Sequence, residues 1–184
     1  LSLNETRLSF EGLAAAYADA LHAELSRLDP VATRLVVLEP ILLKMPEKGS
    51  VLKKLVKKLE AHPHFETVVY AYFGDAAAAW KTLCGLDVAG VGFDFTYTPQ
   101  GENLLKRRWD KRKIFYAGLV DARNTKLETG RELFPALRGL SRVVAEEHLV
   151  VTPSANLEYL PIDRCRLKLA NMVKWVNQFN GRGK

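Results

Sequence analysis

The stretch Lys113-Ile-Phe-Tyr-Ala-Gly-Leu-Val-Asp-Ala-Arg-Asn124 decides the fold. Residues 113–119 are a nearly continuous apolar run of strand length, and the polar group Asp121, Arg123 and Asn124 follows at once. A strand apolar on both sides of its pleat is covered on both faces, as in a parallel sheet flanked by helices. The loop and helical-period segment over 128–144 then supply the long crossover that parallel pairing requires.

Working outward, the same unit repeats. Upstream, the spacing predicts strands over 34–38, 67–73 and 88–95, and downstream one over 148–152. Helices are expected over 6–27, where Asp29-Pro30 stops the run. A lysine-rich helix is expected from Gly49-Ser50 to His62-Pro63, and others over 76–83 with Asp75 as its cap, over 128–144 and over 163–179. Five strands separated by helical segments, with no hairpin signal, imply right-handed crossovers. No strand is followed by GxGxxG, GxxxxGK[ST] or GxSxG, so dinucleotide, P-loop and α/β-hydrolase sites lose their main support. The expected fold is α/β, an incomplete (β/α) barrel of TIM type with five parallel strands. A full barrel takes about 250 residues and eight strands, and this chain has 184 residues. Residues 1–184 are read as one domain, with 181–184 a flexible basic tail, and the two outer strands would leave unpaired edges.

Composition excludes other classes. At 48% hydrophobic and 26% charged residues, with mean hydropathy −0.09, the chain has too much apolar content for disorder. No apolar run reaches the ~18–20 residues of a membrane span. Residues 1–10 mix Asn4, Glu5 and Arg7 among the leucines, unlike a signal peptide. Cys84 and Cys165 stand far apart without a CxxC pair, which points to a reduced, cytoplasmic compartment. The net charge of +6 permits an anionic partner. Its basic residues cluster at Lys53, Lys54, Lys57 and Lys58, read as the wet face of an amphipathic helix. A second cluster, from Lys106 to Lys113, reads as a helix C-terminus and loop; as an alternative, the two would bind nucleic acid or an acidic partner.

In barrels the chemistry sits at the C-terminal ends of the strands. Read in order, those ends carry Glu39, Asp94, Asp121, Arg123, Asn124, Ser154 and Asn156. Such a ring could hold a zwitterionic or polyanionic ligand, with Arg123 as a bidentate carboxylate partner. The competing reading is structural: Asp and Asn after strands cap the next helix, and an Arg–Asp pair braces loops. Asp94 and Asp121 as a general acid and base pair lack an accompanying nucleophile or metal.

Glu39-Pro40, Tyr72-Phe73-Gly74-Asp75, Val91-Gly-Phe-Asp-Phe95, Gly118-Leu-Val-Asp-Ala-Arg-Asn124 and Thr152-Pro-Ser-Ala-Asn-Leu157 come in one order and at consistent spacings. Together they resemble the cobalamin-independent methionine synthase family, in the second half of its N-terminal (β/α)8-type barrel. The likeness covers about 33–177, and 6–27 suits the preceding helix. The resemblance implies a methyltransferase that moves a methyl group from methyl-tetrahydrofolate or a pterin to homocysteine, in methionine biosynthesis. It implies zinc only in a partner catalytic barrel, where the metal makes a thiolate nucleophile. A catalytic barrel would carry His-x-Cys near Tyr72, Glu near Asp94 and Cys where Ala155 lies. Their absence here implies no metal site in this chain, and Leu38 in place of an acid before Glu39 weakens binding of an amino-acid ammonium at the first strand. His62 and His64 lie at the wrong strand end, and Cys84 and Cys165 fall in helices. The expectation is an accessory, substrate-binding portion, inactive in isolation, that takes a folate-like polyanion and pairs with a zinc-bearing barrel or further copies of itself.

Overall fold

The apolar runs become β1 (Arg34–Leu38), β2 (Glu66–Ala71), β3 (Gly90–Asp94), β4 (Ile114–Val120) and β5 (Leu149–Pro153). All four pairings are parallel, and the order across the sheet is that of the chain. Between them run α1 (Phe10–Leu28), α2 (Ile41–Lys44), α3 (Gly49–Leu59), α4 (Trp80–Cys84), α5 (Gly101–Arg107), α6 (Gly130–Leu140) and α7 (Ile162–Phe179). This computed structural model describes residues 5–28, 32–59 and 65–181. The expected helix stops at Asp29-Pro30 and His62-Pro63, together with His64 and the tail beyond Gly181, lie outside the described residues.

Element boundaries shift for local reasons. The strand expected over 67–73 ends at Ala71 because Phe73 turns into the left-handed region at φ 64°. Asp75 does cap: its Oδ1 accepts from Ala77 N at 2.9 Å. It holds a turn, and α4 starts only at Trp80. Helix α6 starts where Thr129 N donates to Glu132 Oε2 at 2.8 Å, a capping box that satisfies an orphan donor. Lys126 and Thr129 together hold the Glu132 carboxyl down to about 2.

The main core lies between the outer face of the sheet and the helices. Val69, Ala71, Val91, Phe93, Phe115, Ala117 and Leu119 from the strands meet Leu52, Val56, Trp80, Leu83, Leu105, Leu133, Leu137 and Leu140. Burying each large side chain contributes about 1.5–3 kcal/mol. Trp80 anchors the centre: its ring stands edge-on to Phe93 at 5.5 Å, and its Nε1 donates to Leu104 O at 2.9 Å.

The inner face explains the curl. Tyr70 of β2 donates its hydroxyl to Pro153 O at 3.0 Å, on β5. Three strand spacings in a flat sheet would be about 14 Å, far beyond a tyrosine's reach, so the sheet bends into an arc. Glycines clear the way: a Cβ on Gly118 would collide with the Tyr70 hydroxyl, and one on Gly92 would stand 2.6 Å from Tyr70 Cδ2. Among the described residues β1 pairs only with β2 and β5 only with β4. Val36 and Leu38 on β1 are accordingly 45% and 41% exposed. They line a groove of about 350 Å³ whose other wall is Thr152, Pro153, Ala155, Asn156 and Leu157.

Candidate functional site

Where β3 and β4 end, the chain builds a polar cluster from two loops. Asp94, fully buried, accepts from Thr96 N at 2.8 Å and from the Thr96 hydroxyl. Thr96 Oγ1 in turn accepts from Arg123 Nη2 at 2.5 Å. Arg123 Nε donates to Asp121 Oδ1 at 2.8 Å, and the guanidinium lies 3.9 Å over the Tyr97 ring. Asp121 also accepts from Arg123 N at 3.0 Å and from Asn124 Nδ2 at 2.7 Å. Ser154, buried at the end of β5, accepts from Ala122 N at 3.1 Å and so pins the same loop from beneath. Asp94, Asp121, Arg123, Asn124 and Ser154 therefore form one connected group.

The other two candidates stand apart. Glu39 Oε1 accepts from Ile41 N at 2.9 Å and Leu42 N at 3.2 Å, so it satisfies the first donors of α2 from the position before the N-cap residue, Pro40. Asn156 is exposed on the wall of the inner groove. Arg123 is not bidentate to one carboxylate; it bridges a carboxylate and a hydroxyl. Its Nη1 carries no hydrogen bond among the described residues, and the side chain is 29% exposed, so one edge of the guanidinium stays open.

Electrostatics split the carboxylates. Burial raises Asp94, partly offset by the Thr96 hydrogen bonds, and its Oδ2 is buried without a partner. Burial likewise raises Glu39 against its two N–H donors. For Asp121 burial opposes the charge, but the Arg123 hydrogen bonds and the Arg123 and Lys168 charges outweigh it and hold the carboxyl low. A raised native pKa means that the folded state keeps a proton the unfolded state has released. The stability tied to Asp94 is thus present below its ordinary value of 3.8 and lost as pH rises through the native value. Asp94→Asn, which keeps an oxygen for Thr96 N, is expected to melt higher than the wild type at pH 7, by about 2–4 °C per kcal/mol at this length. The gap should close below about pH 4. Melts at pH 3, 5 and 7 check this, and a gap that ignores pH would mean that the buried charge is not its source.

A zinc ion does not fit these residues. The strand ends offer carboxylates, amides and hydroxyls. Cys84 Sγ instead donates to Arg108 O, with burial pushing the thiol up to about 12, and Cys165 Sγ donates to Leu157 O. Among the described residues no three His, Cys, Asp or Glu side chains converge.

A family model described as the N-terminal domain of cobalamin-independent synthase matches residues 4–144. The chain belongs to the cobalamin-independent methionine synthase family. Among curated relatives of this synthase family, the 5-methyltetrahydropteroyltriglutamate–homocysteine methyltransferase of Herpetosiphon aurantiacus is 31% identical over 103 residues, 55% of this chain and 14% of that protein. The enzyme of the same name from Streptococcus thermophilus is 31% identical over 150 residues, 80% of this chain and 19% of that protein. The chain thus spans a fifth or less of these methionine synthases. A B12-independent methionine synthase from Shewanella sp. W3-18-1, solved with selenomethionine, superposes with a TM-score of 0.76 at 16% identity, covering 92% of this chain and 55% of that one. A second, from Listeria monocytogenes, gives 0.68 at 16% identity, covering 91% and 54%. At that identity the likeness establishes the fold: the five-stranded arc is built like a stretch of a methionine-synthase TIM barrel.

Sequence reasoning missed Thr96 and Tyr97, which tie Arg123 to β3, and Glu128 with Lys168, which hold the loop from behind. The basic stripe from Lys106 to Lys113 lies before β4, at the opposite end of the sheet. Half of its cations are engaged locally: Lys106 with Glu102, Arg112 bidentate on Asp110, and Lys113 with Cys84 O at 3.3 Å.

Proposed function

We propose that this chain is an accessory, substrate-binding portion of a methionine-synthase-type barrel. It holds the carboxylate-rich tail of a folate-like or pterin substrate at the strand ends, chiefly through the open edge of Arg123. The observation that carries this is the Asp94–Thr96–Arg123–Asp121 cluster. It fixes a permanently charged guanidinium at the end of the barrel where ligands bind, in a chain whose family is the N-terminal domain of such synthases. Asp121, Asn124 and Ser154 orient the loop, while Glu39 and Asn156 stand apart from it.

In this reading the methyl transfer to homocysteine takes place on a separate catalytic barrel. A zinc ion held there would bind the homocysteine sulfur and lower its pKa, so that the substrate reacts as its thiolate. This chain binds and orients. The outer edges of β1 and β5 are covered by the zinc-bearing catalytic barrel, a second copy of the chain being the other outcome that light scattering would reveal. Residues 1–184 act as one domain, and the cytoplasm is the compartment we assign. No helix among the described residues is long and apolar enough to cross a membrane.

The test is titration with 5-methyltetrahydropteroyltriglutamate, the compound in the relatives' name. Saturable binding is expected, weakened about tenfold or more in Arg123→Ala, the scale of a lost charge-assisted hydrogen bond. Equal affinity in the variant, or no saturation, sinks the reading. Steeply salt-dependent RNA binding that ignores Arg123→Ala would turn attention to the basic stripe.

A further inference from the structure

The 18-residue helix α7 has a single buried residue, and it is a lysine. Apolar Ile162, Leu167, Leu169 and Val173 on the same helix are 41–64% exposed, while Lys168 is fully buried. A charge is removed from water at high cost unless a partner is supplied. Here the partner is Glu128, at the end of the loop that follows β4. Lys168 Nζ donates to Glu128 Oε1 at 2.9 Å and Oε2 at 3.2 Å. Two further donors from the same helix face reach the Glu128 main chain: Asn171 Nδ2 at 2.6 Å and Trp175 Nε1 at 2.9 Å, both on its carbonyl oxygen.

Glu128 passes this hold to the site. Its Oε1 accepts from Asp121 N at 3.0 Å, and the Asp121 carboxylate takes the Arg123 N and Nε hydrogens. A chain of hydrogen bonds thus runs from the Lys168 ammonium to the Glu128 carboxylate, through the Asp121 main-chain N–H, and from the Asp121 carboxylate to Arg123.

We propose that Lys168 is the positioning residue of the ligand site: its buried ammonium fixes the Glu128 carboxylate, which sets the Asp121–Arg123 loop and so the aim of the open guanidinium edge. This rests on the reading of Arg123 given above, and its test carries a readout free of ligand. Without the ammonium, the Glu128 carboxylate is a buried charge that turns toward water and releases Asp121 N. An amide in its place needs no counter-charge and still offers an oxygen to Asp121 N.

Lys168→Met is therefore expected to speed hydrogen exchange at Asp121 N–H and Arg123 Nε–H by about tenfold, and to weaken binding of 5-methyltetrahydropteroyltriglutamate by a similar factor. Adding Glu128→Gln to Lys168→Met should restore both to within about twofold of the wild type. Unchanged exchange in a folded Lys168→Met chain overturns the proposal, as does a folded double variant that stays fast-exchanging. If Lys168→Met does not fold, the double variant decides alone, and failure of both to fold overturns it in favour of a purely structural pair. The two claims separate cleanly. Exchange that responds while binding ignores Arg123→Ala keeps the clamp and sinks the tail-binding reading.

Discussion

A Gly92→Ala chain is expected not to reach the native fold, whereas Gly118→Ala should fold weakly and recover when Tyr70→Phe is added. Both glycines lie on the inner face beside Tyr70, but their obstacles differ. A Cβ on Gly92 would overlap Tyr116 Cβ and the Tyr116 carbonyl oxygen, and would stand 2.6 Å from Tyr70 Cδ2. The two Tyr116 atoms are fixed to the main chain of the neighbouring strand, paired with Gly92 in register, and cannot withdraw without breaking the ladder. On Gly118 the first obstacle is the Tyr70 hydroxyl, the far end of a side chain; Phe93 O and Ser154 Cα follow at 3.0 Å. Overpacking of this kind costs about 1–3 kcal/mol, occasionally more. Removing the hydroxyl relieves the larger share at Gly118 and forfeits the bonds to Pro153 O and, at 3.2 Å, to Ser154 O. Urea titrations of the three chains decide it: a Gly92→Ala chain as stable as the wild type would show that the arc is looser than these contacts require.

Phe93→Ala should give the largest loss among substitutions that leave the backbone unobstructed. Phe93 is fully buried, with ring centroids 5.5 Å from Trp80, 4.9 Å from Phe95 and 5.2 Å from Phe115. Truncating such a ring costs about 3–5 kcal/mol, or roughly 6–20 °C in melting temperature for a chain of this length. Tyr159→Ala is the control: at 76% exposure it should stay within about 0.5 kcal/mol. A small loss at Phe93 would mean that the cluster between sheet and helices closes over the gap.

The strands were legible because β2, β3 and β4 bury nearly every residue, and full burial leaves a continuous apolar run in the sequence. Their parallel sense followed from the length of the connections. Helix α2 was not legible: four residues carry no period, and Glu39, which satisfies its first donors, looked instead like a ligand. The candidate site divides the same way. Asp94, Asp121 and Arg123 announce themselves as polar residues just after apolar strands. Thr96 gives no such signal, because its role depends on Arg123 reaching over from the next loop. Lys168 was out of reach for the same reason. Its partner Glu128 lies 40 positions away, and among the basic residues of α7 nothing local marks this one as buried.

The identity of strand order and chain order bears on how such a molecule is made. Every strand after the first finds a partner in the strand synthesised just before it, so the sheet can grow at the ribosome one unit at a time without waiting for a distant segment. The same arrangement makes length negotiable in evolution. Whole strand–helix units can be gained or lost at either end without rethreading what remains, and one set of inherited rules serves an arc as well as a closed ring.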